Sequence, residues 1–143
     1  MSWHDSGKAV ELNEWSHLAV SYNSQTNYVN SYVNGELIDS HFYDELSGDI
    51  TPSAGDLSIG SSFNGQMDEV RVWSETRTPD DIMNYMSSQL EGSNENLAGY
   101  WNFDSSDVVT VVDASGNGNS GQILGIPTLG ESRFHLNIEA PHQ

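Results

Sequence analysis

The stretch Asp113-Ala114-Ser115-Gly116-Asn117-Gly118-Asn119-Ser120-Gly121 gathers oxygen donors in a loop whose glycines let the backbone turn freely. Calcium takes about six to eight oxygens from carboxylates, amide side chains, backbone carbonyls and water. Asp113, Asn117 and Asn119 offer one carboxylate and two amides of that kind. The same residues equally suit an Asx-type turn, in which the carboxylate accepts backbone N–H groups instead of a metal. The loop is not an EF-hand, because it lacks the closing Glu and the flanking helix pair.

Catalytic chemistry finds little purchase. The five histidines, His4, His17, His41, His135 and His142, show no metal spacing such as H-x-x-x-H. There is no G-x-S-x-G nucleophile elbow. Glycoside hydrolysis needs two carboxylates set across a cleft, and with 21 acidic residues chance pairs carry no information. The chain has no cysteine, so disulfides, thiolate nucleophiles and thiolate metal sites are excluded. The expectation is a protein without catalytic residues.

The charge balance narrows the partners. Against 21 acidic residues stand 4 basic ones, a formal net charge of −17. Nucleic acid and anionic membranes would be repelled. Such a surface suits high solubility, saline surroundings or hard cations. No apolar run approaches the ~20 residues that span a bilayer. Met1-Ser2-Trp3-His4-Asp5 has neither the basic start nor the apolar stretch of a signal peptide, so the chain reads as a domain from a larger protein. A length of 143 residues fits one domain, residues 1–143.

The elements that would position these residues read as β-structure. Lys8 to Leu12 is a short strand. From Trp15 to Tyr22, Leu18, Val20 and Tyr22 share one face and His17 and Ala19 the other, which predicts a half-buried strand. Tyr28 to Val33 and Glu36 to Ile38 flank Asn34-Gly35, and that dipeptide predicts a hairpin with a type I′ turn. Short strands follow at His41–Tyr43 and Asp56–Ile59. In the strand Met67 to Trp73, Asp68 shares the face of Val70 and Val72, which places it at a sheet edge or in a pair.

Thr78-Pro79-Asp80-Asp81 then opens a helix, with Thr78 as cap, Pro79 at the first position and two aspartates against the dipole. Ile82, Tyr85, Met86 and Leu90 form its core stripe, and Gly92 ends it. Strands at Leu97–Phe103, Val108–Val112, Gln122–Leu124 and Phe134–Ile138 complete an all-β, antiparallel β-sandwich or jelly roll with one short helix. Trp15, Trp73 and Trp101 are assigned to its core.

Four segments in register carry a family resemblance. Trp15-Ser16-His17-Leu18-Ala19 resembles the "W-x-H-hydrophobic-A" strand of laminin-G-like, concanavalin A-like lectin/glucanase sandwiches. Tyr32-Val33-Asn34-Gly35 is similar to their "Y-V-N-G" hairpin. Leu57-Ser58-Ile59-Gly60 and Phe63-Asn64-Gly65-Gln66-Met67-Asp68-Glu69-Val70-Arg71-Val72-Trp73 resemble "L-x-I-G … F-x-G-x-I-D-E-V-R-I-W". The helix from Thr78 to Leu90 matches the one that follows. The chain is similar also to pentraxins, which usually carry a disulfide that this chain cannot form.

The resemblance implies several things. Related sandwiches often hold a structural calcium at the Asp that starts the closing strand, so Asp68 is an expected ligand, with Asp104 near it if the Trp101–Asp104 strand pairs alongside. Independently of the resemblance, Asp113, Asn117 and Asn119 are a second expected calcium group, on the oxygens and glycines of their loop. His17 falls on a packing position. The E-x-D-x-x-E strand of related glucanases is absent. Residues 97–125 resemble the segment that usually begins such a domain, yet they follow its closing half. That implies an incomplete or permuted sandwich, two joined repeats, or half of a strand-exchanged dimer, whose open edges favour homo-oligomers.

The implied function is a non-catalytic, extracellular or cell-surface binding or adhesion module for carbohydrate or a protein partner. Sugars stack on aromatic faces, and Trp3, Tyr28, Tyr43 and Phe63 lie in or beside loops as platforms. The alternatives are an accessory or catalytic fragment of a polysaccharide-degrading enzyme, or an architectural spacer.

Overall fold

The computed structural model describes residues 4–46, 56–61, 63–91, 94–105, 107 and 109–124, and the backbone of His135–Ile138. It divides into two compact units, Met1–Thr51 with Glu75–Ser88, and Pro52–Ser74 with Gln89–Gln143.

The first unit is built on a meander of β1 (Leu18–Asn23), β2 (Tyr28–Val33) and β3 (Glu36–Phe42), all antiparallel, in the order β1-β2-β3. Asn34 and Gly35 both take positive φ, 51° and 80°, as a type I′ turn requires. Asn34 does more than turn: its amide donates to the His17 carbonyl and its Oδ1 accepts from the His17 amide, each at 2.8 Å. These bonds fasten the start of β1 to the hairpin. A bulge in β3 beside Ser31 and Tyr32 leaves Ile38 as the extra residue. His41 and Phe42, expected as a separate strand, belong to β3.

The register sorts the sheet into two faces. Ala19, Tyr32 and Leu37 share one, as do Ser21, Asn30 and Ser40, and then Asn23, Tyr28 and Phe42. On that face Ser21 and Tyr32 are buried. Leu18 and Val20 lie on the other face and are 61% and 71% exposed, so the alternation in β1 is present but its apolar side is open. Lys8–Leu12 forms no strand, and Leu12 is exposed. Trp15, expected in the core, is 66% exposed. It precedes β1, where no ladder fixes its direction towards a core.

Helix α1 (Pro79–Tyr85) begins as the sequence predicts. Thr78 Oγ1 accepts from the Asp81 amide at 3.1 Å, and Asp81 Oδ2 accepts from the Thr78 amide at 3.1 Å, closing a capping box. The helix ends seven residues short of Gly92, with Met86 as C-cap. Ser87 and Ser88 follow there, and serines compete for backbone hydrogen bonds and weaken a helix interior. Of the predicted stripe, Ile82 is buried and Tyr85 exposed.

The second unit holds two sheets. One has the order β4 (Leu57–Ile59), β9 (His135–Ile138), β8 (Gly121–Leu124) and β7 (Thr110–Val111); the other pairs β5 (Val70–Trp73) with β6 (Leu97–Trp101). Every neighbouring pair is antiparallel. The core is the cluster of Trp101 and Val111, with Ile59, Val70, Phe103 and Ile123 packed against it, so both sheets feed it. The Trp101 indole lies over Gly99, where any Cβ would collide with the ring. Its Nε1 donates to the Asn119 carbonyl at 2.9 Å. β6, the start of the segment found out of its usual order, is thus the direct partner of the closing strand β5.

Candidate functional site

Two exposed aromatics meet on the β1-β2-β3 sheet. Tyr28 and Phe42 are directly opposed across β2 and β3, with ring centroids 5.5 Å apart and planes inclined by 55°. They are 43% and 48% exposed. The next pair along the same face is Asn30 and Ser40, joined by a 2.6 Å bond from Ser40 Oγ to Asn30 Oδ1. An apolar step beside an amide and a hydroxyl is what a pyranose ring uses, since it presents a C–H face and a hydroxyl rim. Tyr28 is an expected platform residue. Phe42 is a new one, and its signal in the sequence is its placement at the end of a strand running back from Asn34-Gly35.

Tyr43 takes a different place. It packs edge-on to His41, centroids 4.5 Å apart, and His41 stacks on His4 at 3.8 Å. His4 Nε2 lies 3.0 Å from Asp39 Oδ2. Tyr43 therefore belongs to a local His–Tyr cluster. Phe63 is 41% exposed, with its ring folded against Gly65 of its own loop. Trp3 lies outside the described residues.

The Asp113 loop is organised by hydrogen bonds. Asp113 is buried. Its Oδ1 accepts from the amides of Tyr100 and Ser115 at 3.0 and 2.9 Å, and its Oδ2 from the amide of Asn119 at 2.9 Å. Burial pushes the carboxyl up, but the bonds from Ser115, Tyr100 and Asn119 together outweigh it and hold the group below the ordinary carboxylate range. Asn117 Nδ2 donates to the Leu97 carbonyl at 2.6 Å, and Asn119 Nδ2 to the Ala98 carbonyl at 2.9 Å. In this geometry the loop is an Asx-type turn that staples itself along β6.

Asp68 and Asp104 arrive at one end of the β5–β6 pair, just beyond the Val70–Trp101 rung. The backbone bends sharply on both sides: Glu69 has φ 55° and Phe103 has φ 50°, values that non-glycine residues rarely adopt. The bend at Glu69 breaks the alternation expected from Met67 onward, so β5 starts only at Val70. Asp68 is exposed, and its Oδ1 accepts from the Glu69 amide at 2.9 Å. Loss of hydration raises its carboxyl above the usual value, and the charges of Glu69 and Asp104 raise it further against that bond. Asp104 Oδ2 accepts from Gln89 Nε2 at 3.1 Å and Asn102 Nδ2 at 2.9 Å. Among the described residues no three His, Asp or Glu side chains converge on one point. Nor is any helix long and apolar enough to cross a membrane.

Antiparallel sheets with one short helix among the described residues fit the concanavalin A-like class of β-sandwich. Residues 2–83, more than half of the chain, match a laminin G model of the concanavalin A-like lectin/glucanases superfamily, and the chain belongs to that superfamily. Among solved structures it is similar to a Bacteroides ovatus protein inferred to bind carbohydrate, at 27% identity and a TM-score of 0.63. That alignment covers 94% of this chain and 39% of the other, so this chain spans well under half the length of that relative. No match is found among curated proteins.

Proposed function

We propose that the chain is a non-catalytic carbohydrate-binding module of a longer secreted or cell-surface protein. The observation that carries this reading is the exposed Tyr28–Phe42 pair beside the Asn30–Ser40 bond. Superfamily membership and the name given to the Bacteroides ovatus relative support it. The test is a glycan panel read by calorimetry alongside a hydrolysis assay on the same polysaccharides. Tyr28→Ala or Phe42→Ala weakens binding by about tenfold or more, each decade being about 1.4 kcal/mol. Turnover of any polysaccharide would refute the binding-only reading, and a panel with no binder would favour an architectural spacer.

Calcium is the second part of the proposal. The observation behind it is that Asp68 and Asp104 meet at one end of the β5–β6 pair, where loss of hydration chiefly, and the charges of Glu69 and Asp104 in addition, raise the Asp68 carboxyl, and a bound cation would relieve that repulsion. Asp68 and Asp104 would be the protein ligands, with water completing the shell.

A further inference from the structure

Resting on the carbohydrate reading of the Tyr28–Phe42 face, we infer that this site selects uncharged glycans and rejects uronic-acid and sulfated ones. The selection is electrostatic. Acidic glycans are held chiefly by Arg and Lys, whose guanidinium forks and ammonium groups match carboxylate and sulfate. The chain has 4 such residues against 21 acidic ones.

Two of the four are already engaged by carboxylates. Arg77 Nη1 bonds Glu75 Oε1 at 2.7 Å, with Asp81 Oδ1 3.6 Å from its Nη2. Arg71 is paired with Glu69 through its Nη2 at 2.5 Å, with its guanidinium over the Tyr100 ring. Arg133 falls outside the described residues. Lys8 sits on the N-terminal segment, exposed.

The residues bordering the platform have the opposite sign. The Tyr43 amide donates to the Asn27 carbonyl at 3.0 Å, which brings the turn after β3 against the start of β2. That turn carries Asp44 and Glu45, both exposed, which follow Phe42 and Tyr43 in the chain. The polar groups on the platform itself are neutral. The Ser40 hydroxyl proton is spent on Asn30 Oδ1, so Asn30 keeps its amide N–H groups to donate and Ser40 its oxygen lone pairs to accept. An amide, a hydroxyl and two aromatic rings recognise hydroxyl rims and C–H faces. They supply no positive charge to a sulfate, whose desolvation near the acidic turn the Asn30 N–H groups alone would offset only in part.

The experiment compares matched polysaccharides that share a backbone, such as methyl-esterified and de-esterified polygalacturonate, and a neutral glucan and its sulfated form. Binding to the intact chain is measured at pH 8, above the ordinary imidazole range, at low and high salt. The neutral member of at least one pair binds, with an affinity that salt leaves nearly unchanged and that Tyr28→Ala removes. Its charged counterpart binds about tenfold weaker or less at low salt, and the gap narrows as salt shortens the Debye length from about 30 Å to about 3 Å. Equal or tighter binding of the charged form, weakening as salt rises and lost in Tyr28→Ala, would overturn the selectivity while leaving carbohydrate binding at this face intact. Failure of both forms of every pair would overturn the carbohydrate reading and the selectivity with it.

Discussion

The hydroxyl of Tyr100 lies 2.9 and 2.8 Å from the two carboxylate oxygens of Glu69. Tyr100 is buried, and Glu69 is the residue whose positive φ ends the ladder before β5. Arg71 closes the group by pairing with Glu69 Oε2. The network therefore holds a left-handed residue that its own side chain disfavours. Tyr100→Phe removes the only hydroxyl donor of that pair while keeping the ring. It is expected to lower stability by about 1.5–3 kcal/mol, the usual range for a hydrogen bond to a charged group, read as a shift in urea midpoint at constant m-value.

Gly99 tests the packing of the second unit. A methyl group there would run into the Trp101 indole, whose position is fixed by its bond to the Asn119 carbonyl. Gly99→Ala should cost about 1–3 kcal/mol through overpacking and should alter the near-ultraviolet tryptophan signal. A neutral effect on both would mean that the indole moves aside freely.

Asp113 sets an acid-side dependence. Its folded carboxyl lies below the ordinary value, so the folded state favours its charged form. The stability it contributes is present above the unfolded carboxylate range and is lost as pH falls through the lowered folded value. Asp113→Asn should flatten the stability profile over that acid window. It should also destabilise the loop at neutral pH, because all three amide donors lose a charged acceptor and at least one of them then faces an NH2 group. Thermal melts of the two proteins across acid pH decide the point.

Asp68 has the opposite sign. Its folded carboxyl is raised, so its contribution is present below the unfolded value and is lost as pH rises through the raised folded one. In chelator, Asp68→Asn should therefore equal or exceed the parent chain in melting temperature at neutral pH. Added calcium should raise the melting temperature of the parent, by about 2.7 kcal/mol of stability at a hundredfold excess over its dissociation constant, and leave Asp68→Asn unchanged. An identical parent melt in chelator and in calcium would rule out a structural ion.

Much of the local structure is written in adjacent residues. Asn34-Gly35 specifies its turn because few other residues tolerate two successive left-handed conformations. Thr78, Pro79 and Asp81 specify the helix start because the cap, the fixed φ and the reciprocal bond are all within four positions. The superfamily is legible for the same reason: its strands and turns are short, local patterns. The site was legible only in part. Tyr28 is exposed as expected, but its partner Phe42 is chosen by the β2–β3 register, which a bulge shifts by one residue. Trp15 looks like core and faces solvent, because burial depends on what covers a side chain and not on its type.

The acidic residues draw the line most clearly. The sequence by itself determined that the chain is strongly anionic, lacks thiol chemistry and sets Asp113 in a loop able to turn around it. Whether that carboxylate faces backbone amides or stands open was decided by tertiary structure, since three of its donors come from Tyr100, Ser115 and Asn119. Tertiary structure also brought Asp68 and Asp104 to one end of β5 and β6, through an antiparallel pairing between strands separated by a helix. Pairing of distant strands is won by the packing of whole faces, here Val70 and Trp101 against Val111, and no short pattern encodes that competition.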